Sequence, residues 1–350
     1  TRDAVKGSVF NAAERGWVQG NTTEYSKQGL MYGIVGGIEY PGITQITEWH
    51  LNPNQTINYV TAHDNNTLYD KMRLTGITNI NVRPLLIQSN AIVLTSQGIP
   101  FLHAGVEMAR SKPLGSTYDH NSYESPDEVN QLRWDRKISY HDVFEYYKGL
   151  IRLRKMYNQF RIPDADDIRD RLTFLTTDQS LKSVAYEIQG LENQPDIVVI
   201  HTSNPSSGLT YVTLPAGKNY AIHSDFLGVY QQGIDNVSNA VYVPNNTSMI
   251  LIEKTGNQAS VTLKEDVVYI APNQAFDPMS NVEINDPLAT VYVSNTHQTS
   301  VSGRYVVSVA VKESYGLITH HTFILVVGSP KYAINIDRSG IGAWWIWKRN

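Results

Sequence analysis

A short β-prone run followed by a polar loop occurs twice in succession in the first third of the chain. Residues 56–62 form the first run and lead into the polar segment 63–66, and residues 99–102 form the second and lead into the loop 103–107. Between these runs, residues 82–97 have the composition of a helix. Strand, loop and helix units of this length build parallel sheets or barrels, so this region is predicted to have an α/β fold.

Two further helices are predicted from capping and periodicity. Thr67 and Asp70 have the spacing of a capping box, which predicts a helix directly after the first polar segment. Ser139 and Asp142 have the same spacing before a stretch in which apolar and aromatic residues recur every three or four positions. The residues predicted to share one buried face are Val143, Tyr146, Tyr147, Leu150, Arg154 and Tyr157.

Beyond about Asp164 the helical pattern gives way to short alternating strands separated by turn residues, as is typical of antiparallel sandwiches. The predicted strands are 184–188, 196–201, 211–214, 240–243 and 248–252. A second all-β unit follows, with 303–311 as its clearest strand. We therefore predict a multidomain α/β plus all-β chain in four parts: residues 1–162, 163–254, 259–328 and a tail at 329–350.

Composition removes several classes of function. Lys and Arg number 29 against 33 Asp and Glu, so the net charge of −4 gives no field for steering onto nucleic acid or anionic lipid. No apolar run reaches the roughly 18 residues of a membrane span. The absence of Cys removes disulfides and thiolate chemistry. The chain begins with Thr1 rather than Met, and we expect it to be part of a longer protein.

His63 and Asp64 are the residues that point most directly to chemistry. They lie after a predicted strand and before a predicted helix, which is where the active sites of parallel barrels lie. Asp and Asn are also good turn and cap residues, so a structural role stays open. Glu107 and the acidic residues at 164–170 have the pattern of solvated loops, and the His residues show no metal-ligand spacing. No metal site is predicted.

Six stretches of the chain match one known family in sequence and in order. The segment 59–70 reads Tyr-Val-Thr-Ala-His-Asp-Asn-Asn-Thr-Leu-Tyr-Asp, and the other stretches are 2–10, 36–39, 97–107, 121–123 and 146–154. They resemble bacterial type I pullulanases, which are debranching glycoside hydrolases of the α-amylase family. The segment 59–70 is similar to the fourth conserved region of that family. The resemblance covers about residues 1–253, whereas residues 259–328 resemble bacterial Ig-like modules.

The resemblance implies a retaining enzyme that hydrolyses α-1,6-glucosidic links in pullulan, starch or glycogen. Such chemistry uses a nucleophile and an acid/base carboxylate about 5 to 5.5 Å apart, and this family adds a third acid that stabilises the transition state. Asp64 matches that third acid. His63 and Asn65 match residues of the sugar subsite, and Asn121 and Tyr123 are expected to bind substrate. In the family the nucleophile and the acid/base lie upstream, so neither is expected in this chain.

The resemblance also implies the architecture. Residues 1–162 correspond to the C-terminal part of a (β/α)8 TIM barrel, residues 163–254 to an antiparallel β-sandwich and residues 259–328 to an Ig-like β-sandwich. The expected partner is an α-glucan polysaccharide, with no nucleic acid and no membrane span. No cofactor is expected, and a structural calcium ion is left open.

The resemblance of residues 259–328 to Ig-like modules implies a secreted protein that is extracellular or on the cell surface of a Gram-positive bacterium. Two alternatives to this interpretation stay open. The chain could be a non-catalytic carbohydrate-binding or cell-surface module, because Tyr is abundant and aromatic faces stack on sugars. It could also come from another branch of the family, such as isoamylase or neopullulanase.

Overall fold

Eight α-helices and twenty β-strands form the ordered elements of the chain in the part that the structure covers. This computed structural model describes residues 1–191, 194–203, 208–254, 261–294, 297–314, 318–328, 333–335 and 346–348. The chain divides into two compact units, Thr1–Gln258 and Ala259–Asn350. Among the described residues, no helix is long and apolar enough to cross a membrane.

Among the described residues, all of the α-helices lie in the first unit. They are α1 (Arg2–Lys6), α2 (Glu24–Ile34), α3 (Leu68–Leu74), α4 (Val82–Thr95), α5 (Asp127–Asn130), α6 (Arg136–Ser139), α7 (His141–Met156) and α8 (Ala165–Arg171). The predicted cap of α3 is confirmed, since the Thr67 hydroxyl accepts the Asp70 N–H at 3.1 Å. The predicted buried face of α7 is also confirmed. The predicted cap at Ser139 is wrong, because Ser139 ends α6 and Tyr140 precedes α7.

The parallel pairing in this region is short. Strands β1 (Ile57–Asn58) and β2 (Ile99–Pro100) pair in parallel, with Ile57 opposite Ile99. Each predicted run of four to seven residues has therefore become a two-residue strand. The Asn58 amide donates to the carbonyls of Gly33 and Gln97, at 2.9 and 2.7 Å, and anchors β1 through its side chain. No (β/α)8 barrel is seen among the described residues, and the part-barrel stays a prediction.

The sandwich of the first unit is antiparallel, as predicted. After the small hairpin β3 (Pro113–Leu114) and β4 (Thr117–Tyr118) come β5 (Leu172–Leu175), β6 (Ser183–Ile188), β7 (Ile197–Thr202), β8 (Thr210–Thr213), β9 (Asn219–Ser224), β10 (Val229–Ser238), β11 (Ala240–Val243) and β12 (Thr247–Glu253). Six of them form a sheet in the order β10-β9-β12-β7-β6-β5, and β11 pairs with β8. The core between them is apolar: Ala185, Val198, Ile200, Val212, Leu214, Tyr220, Val241, Val243, Met249 and Leu251.

Buried polar contacts join the helical region to this sandwich. The Gln88 amide on α4 donates to the carbonyls of Thr202 and Thr247, at 2.6 and 3.1 Å. The Tyr146 hydroxyl on α7 donates to the carbonyl of Asp225 at 2.7 Å. The Trp17 indole N–H donates to the Leu181 carbonyl at 2.9 Å. Because buried polar groups are costly to leave unpaired, these bonds fix the two parts against each other.

The described part of the second unit consists of β-strands and one 3-10 turn, Pro278–Asn281. Its strands are β13 (Val261–Leu263), β14 (Val267–Ile270), β15 (Val282–Ile284), β16 (Thr290–Val293), β17 (Gly303–Lys312), β18 (Ile318–Val327), β19 (Ala333–Asn335) and β20 (Ile346–Lys348). The main sheet has the order β14-β18-β17-β16, in which only the β14–β18 pairing is parallel. The prediction of an Ig-like module stays a prediction. Most of the predicted tail, including Trp344 and Trp345, lies outside the described residues.

Candidate active site

The loop between β1 and α3 holds His63 and Asp64 out to solvent. Their side chains are 84 % and 75 % exposed, and His63 Nε2 lies 3.4 Å from Asp64 Oδ1. Asn65 follows with a φ of 62°, a left-handed conformation that Asn tolerates better than most residues. Thr67 is the N-cap of α3, so Asp64 does not cap this helix. The loop therefore presents an imidazole and a carboxylate side by side on the surface.

Lys112 holds this loop in place through hydrogen bonds from its buried side chain. Its side chain is buried, and its ammonium donates to the carbonyl oxygens of His63 and of Asn65, the latter at 3.2 Å. The two carbonyls flank Asp64 in the chain. Burial lowers the pKa of Lys112, and Arg110 lowers it further, while the carboxylates of Asp119, Asp70 and Asp64 act in the opposite direction. A charged group thus holds the backbone on both sides of Asp64.

Asp70 positions the segment that carries Lys112. Its carboxylate is fully buried on α3 and accepts the Ser111 hydroxyl at 2.5 Å and the Lys112 N–H at 2.8 Å. Burial raises the pKa of Asp70, and the hydrogen bonds from Ser111, Lys112 and Thr67 oppose that rise. The residue that looked like a capping partner in the sequence therefore connects α3 to a second loop.

His103, after β2, forms the next layer of the site. It is buried, and its Nε2 lies 3.2 Å from an Arg110 guanidinium nitrogen, which makes the neutral imidazole the acceptor. Burial lowers the pKa of His103 to about 4, with Arg110, Lys112 and His63 adding to the effect. Arg110 also donates to the carbonyls of Ala104 and Asn130, at 3.1 and 2.8 Å. His103 is thus neutral at pH 7 and pairs with Arg110 beside the segment that leads to Lys112.

Asn121 and Tyr123 lie in a neighbouring loop. Asp119 organises it by accepting the Asn121 N–H at 2.8 Å and the Ser125 hydroxyl. The Asp119 N–H in turn donates to the Lys112 carbonyl at 2.8 Å, so this loop continues directly from the segment that supports His63. Asn121 and Tyr123 are both exposed. No hydrogen bond between described residues joins either side chain to the His63–Asp64 loop.

The other acidic candidates have structural positions. Glu107 lies in a 3-10 turn, Val106–Met108, and is half-buried. Asp164 is the N-cap of α8 and accepts the N–H groups of Asp166 and Asp167, at 2.8 and 3.2 Å. Within the part of the chain that the structure covers, no group of three His, Asp or Glu side chains could hold a metal ion.

The sequence reasoning missed Lys112 and His103. Lys112 follows Ser111 in a polar run with no apolar periodicity, so nothing in the sequence signals a buried ammonium. In the sequence, His103 is one residue of the loop predicted at 103–107. Both residues act through the backbone or through one neighbour, and such contacts depend on how two distant segments pack. A His at the end of a predicted parallel strand was the one available signal.

Comparison with known proteins gives relatives of one kind. No family model matches the chain. A pullulanase of Bacillus subtilis is 37 % identical over 209 residues, which is 59 % of this chain and 28 % of the relative. The solved type I pullulanase of Bacillus subtilis in complex with maltose is 33 % identical, with a TM-score of 0.63, over 72 % of this chain and 34 % of that one. A pullulanase from Anoxybacillus in complex with maltotetraose is 31 % identical, with a TM-score of 0.61, over the same shares.

The chain is therefore related to glycoside hydrolases. It is similar in sequence and in structure to the pullulanases, and the resemblance predicted from the sequence is confirmed. The chain spans about a third of the length of the pullulanases with which it was compared. The matches are consistent with the prediction of a C-terminal portion.

Proposed function

We propose that the chain is part of a debranching enzyme that hydrolyses α-1,6-glucosidic links in pullulan, starch or glycogen. Its homology to pullulanases supports the reaction class. The maltose and maltotetraose in the solved relatives support an α-glucan as its partner. The observation that carries the proposal is the exposed His63–Asp64 pair on a loop that Lys112 holds in place.

In this proposal Asp64 stabilises the transition state. Glycoside hydrolysis passes through an oxocarbenium-like state, and a fixed carboxylate facing the developing positive charge lowers its energy. The geometry favours this role over a turn or cap role, because Thr67 caps α3 and the exposed Asp64 carboxylate lies beside the His63 ring. His63 and Asn65 are proposed to bind the sugar at the cleavage point. Asn121 and Tyr123 are proposed to contact the substrate chain.

The nucleophile and the acid/base of a retaining mechanism are proposed to come from a part of the enzyme outside these 350 residues. The carboxylates that share the surroundings of Lys112 with Asp64 are Asp70 and Asp119. Asp70 is buried and accepts two hydrogen bonds, and Asp119 is tied to Asn121 and Ser125. Neither is presented to a substrate as a catalytic carboxylate must be.

The α/β region is proposed to be the last part of a (β/α)8 barrel. A parallel pair of two-residue strands is a small fragment of a sheet, and parallel sheets are stable when helices and further strands cover them. Secretion, and a position outside a Gram-positive bacterium or at its surface through an Ig-like module, are proposed on the resemblance of residues 259–328 alone.

A chimaera tests the function. The chain is joined behind the remaining N-terminal part of the Bacillus subtilis pullulanase, and pullulan hydrolysis is measured as reducing ends and maltotriose. We expect the chimaera to release maltotriose and the 350-residue chain alone to release none. Release by the chain alone would contradict the division of catalytic acids. A chimaera that melts cooperatively but does not cleave pullulan would contradict the debranching function.

A further inference from the structure

The outer face of the sandwich carries a pair of tyrosines. Tyr211 on β8 lies directly opposite Tyr242 on β11 in the antiparallel register. Their neighbours along each strand, Val212, Val241 and Val243, belong to the apolar core. Tyr211 is 37 % exposed and Tyr242 is 62 % exposed. Strand alternation thus places two large aromatic side chains together on a solvent-facing surface.

The two rings form an inclined platform. Their centroids are 5.2 Å apart and their planes meet at 58°. Among the described residues, neither hydroxyl has a hydrogen-bond partner. Tyr is amphipathic, with an apolar ring and a polar tip, and such side chains are typical of binding surfaces. The pair therefore offers two ring faces and two unused hydroxyls.

A carboxylate stands beside the platform. Asp178 accepts the Tyr211 N–H at 2.9 Å, and its own N–H donates to the Tyr211 carbonyl at 3.3 Å. Asp178 and Thr213 are both exposed, and Thr213 is the next outward residue after Tyr211 on β8. A sugar ring has an apolar C–H face and a rim of hydroxyls, so aromatic faces flanked by a carboxylate and a hydroxyl suit it.

We propose that Tyr211 and Tyr242 form a non-catalytic binding site for an α-glucan chain. The choice of ligand rests on the function proposed above, and the geometry supports it independently. Successive glucose units of an α-1,4-glucan are inclined to one another because the chain coils, whereas a β-1,4-glucan is a flat ribbon. Two rings at 58° fit the coiled chain, and a flat ribbon would need nearly coplanar rings. The site would hold the polysaccharide on the sandwich while the His63–Asp64 loop serves the reaction.

Affinity electrophoresis of the full chain tests this site. Native gels contain amylopectin, and parallel gels contain hydroxyethyl cellulose, a soluble β-1,4-glucan, or no polysaccharide. The variants are Tyr211→Ala with Tyr242→Ala, and Tyr292→Ala as a matched control, since Tyr292 is 61 % exposed on a strand of the second unit. We expect amylopectin to retard the wild type and the control equally. The double variant should have a dissociation constant at least about ten-fold higher.

Threonine variants separate a loss of binding from a loss of folding. Tyr211→Thr and Tyr242→Thr keep a residue that favours strands but remove the ring, and each should weaken retardation while circular dichroism stays unchanged. A wild type that amylopectin does not retard would overturn the proposal. Equal retardation of the wild type and the folded double variant would overturn it too, and so would equal retardation by hydroxyethyl cellulose. Because no hydrolysis is measured, these outcomes are separate from those of the chimaera.

Discussion

Replacing Lys112 by Met tests whether the His63–Asp64 loop is held from within the protein. Met keeps most of the apolar stem but removes the ammonium that donates to the carbonyls of His63 and Asn65. Hydrogen bonds to charged groups contribute about 1.5 to 3 kcal/mol each. Removal of the buried charge offsets part of this loss of stability, because burial disfavours the charged form of Lys112 and lowers its pKa.

The balance favours a loss of stability. Both carbonyls belong to residues that are partly exposed, so water replaces some of the lost bonding. We expect the free energy of unfolding of the first unit to fall by about 1 to 3 kcal/mol. For a unit of this size, that corresponds to a fall in Tm of roughly 2 to 10 °C. The loss should be centred on the loop, so amides at residues 61–67 should exchange faster with solvent.

Differential scanning calorimetry and hydrogen exchange of the full chain provide the measurements. Lys182→Met is the control, since it removes a Lys that lies away from the loop and makes no side-chain hydrogen bond among the described residues. A Lys112→Met variant with an unchanged or higher Tm, and with unchanged exchange at residues 61–67, would refute the reasoning. Equal loosening in both variants would show that the effect is not specific to the loop.

Three further predictions concern other parts of the chain. In the chimaera, Asp64→Asn should lower kcat by about 10² to 10³ with little change in KM, as expected for loss of a charge that acts in the transition state, and a near wild-type kcat would contradict the role. Lys6 is buried, and its burial, together with the charge of Arg2, lowers its pKa from 10.5 to about 7. Below pH 7 its charge is therefore fully destabilising to the fold. Between about pH 7 and 10.5 the free energy of unfolding should rise by at most about 1.4 kcal/mol per pH unit. Lys6→Met should therefore be more stable than the wild type at pH 6 by a margin that narrows towards pH 9, and a constant margin in urea titrations would contradict this. Residues 259–328 expressed alone should show a cooperative thermal transition, and a featureless melt would contradict independent folding.

Local signals in the sequence predicted much of the secondary structure. The helix predicted at 82–97 is α4, and the strand predicted at 240–243 is β11. The strand predicted at 303–311 is β17, with Val307, Val309 and Val311 on its buried face. For β11 and β17 a pattern with a period of two coincides with one buried face, and that coincidence makes periodicity informative. Helix α4 is buried on nearly all sides, and its composition rather than a periodic pattern predicted it.

The elements that were missed depend on tertiary context. Strand β10 is mostly exposed and polar, so its sequence shows little alternation of apolar and polar residues. Strand β9 pairs with β10 and with β12, and it carries a buried polar residue, His223, which obscures its apolar pattern. The runs around β1 and β2 were expected to be longer, because β-propensity says nothing about how many partners a strand finds. The candidate site follows the same rule. His63 and Asp64 could be singled out from their place after a strand, whereas Lys112 could not, because its role arises when two distant loops meet.

The bonds of Gln88, Tyr146 and Trp17 across the first unit bear on how such a protein can be recombined. A graft that exchanged only the β-strands after residue 162 for those of a relative would have to supply new carbonyls at the positions of Thr202, Asp225 and Leu181. Without them, three buried donors would lose their acceptors at once, each at a cost of about 1 to 3 kcal/mol. Segments exchanged between homologues should therefore end near Gln258, where the first unit ends, so that the helices and the sheet behind them are inherited together.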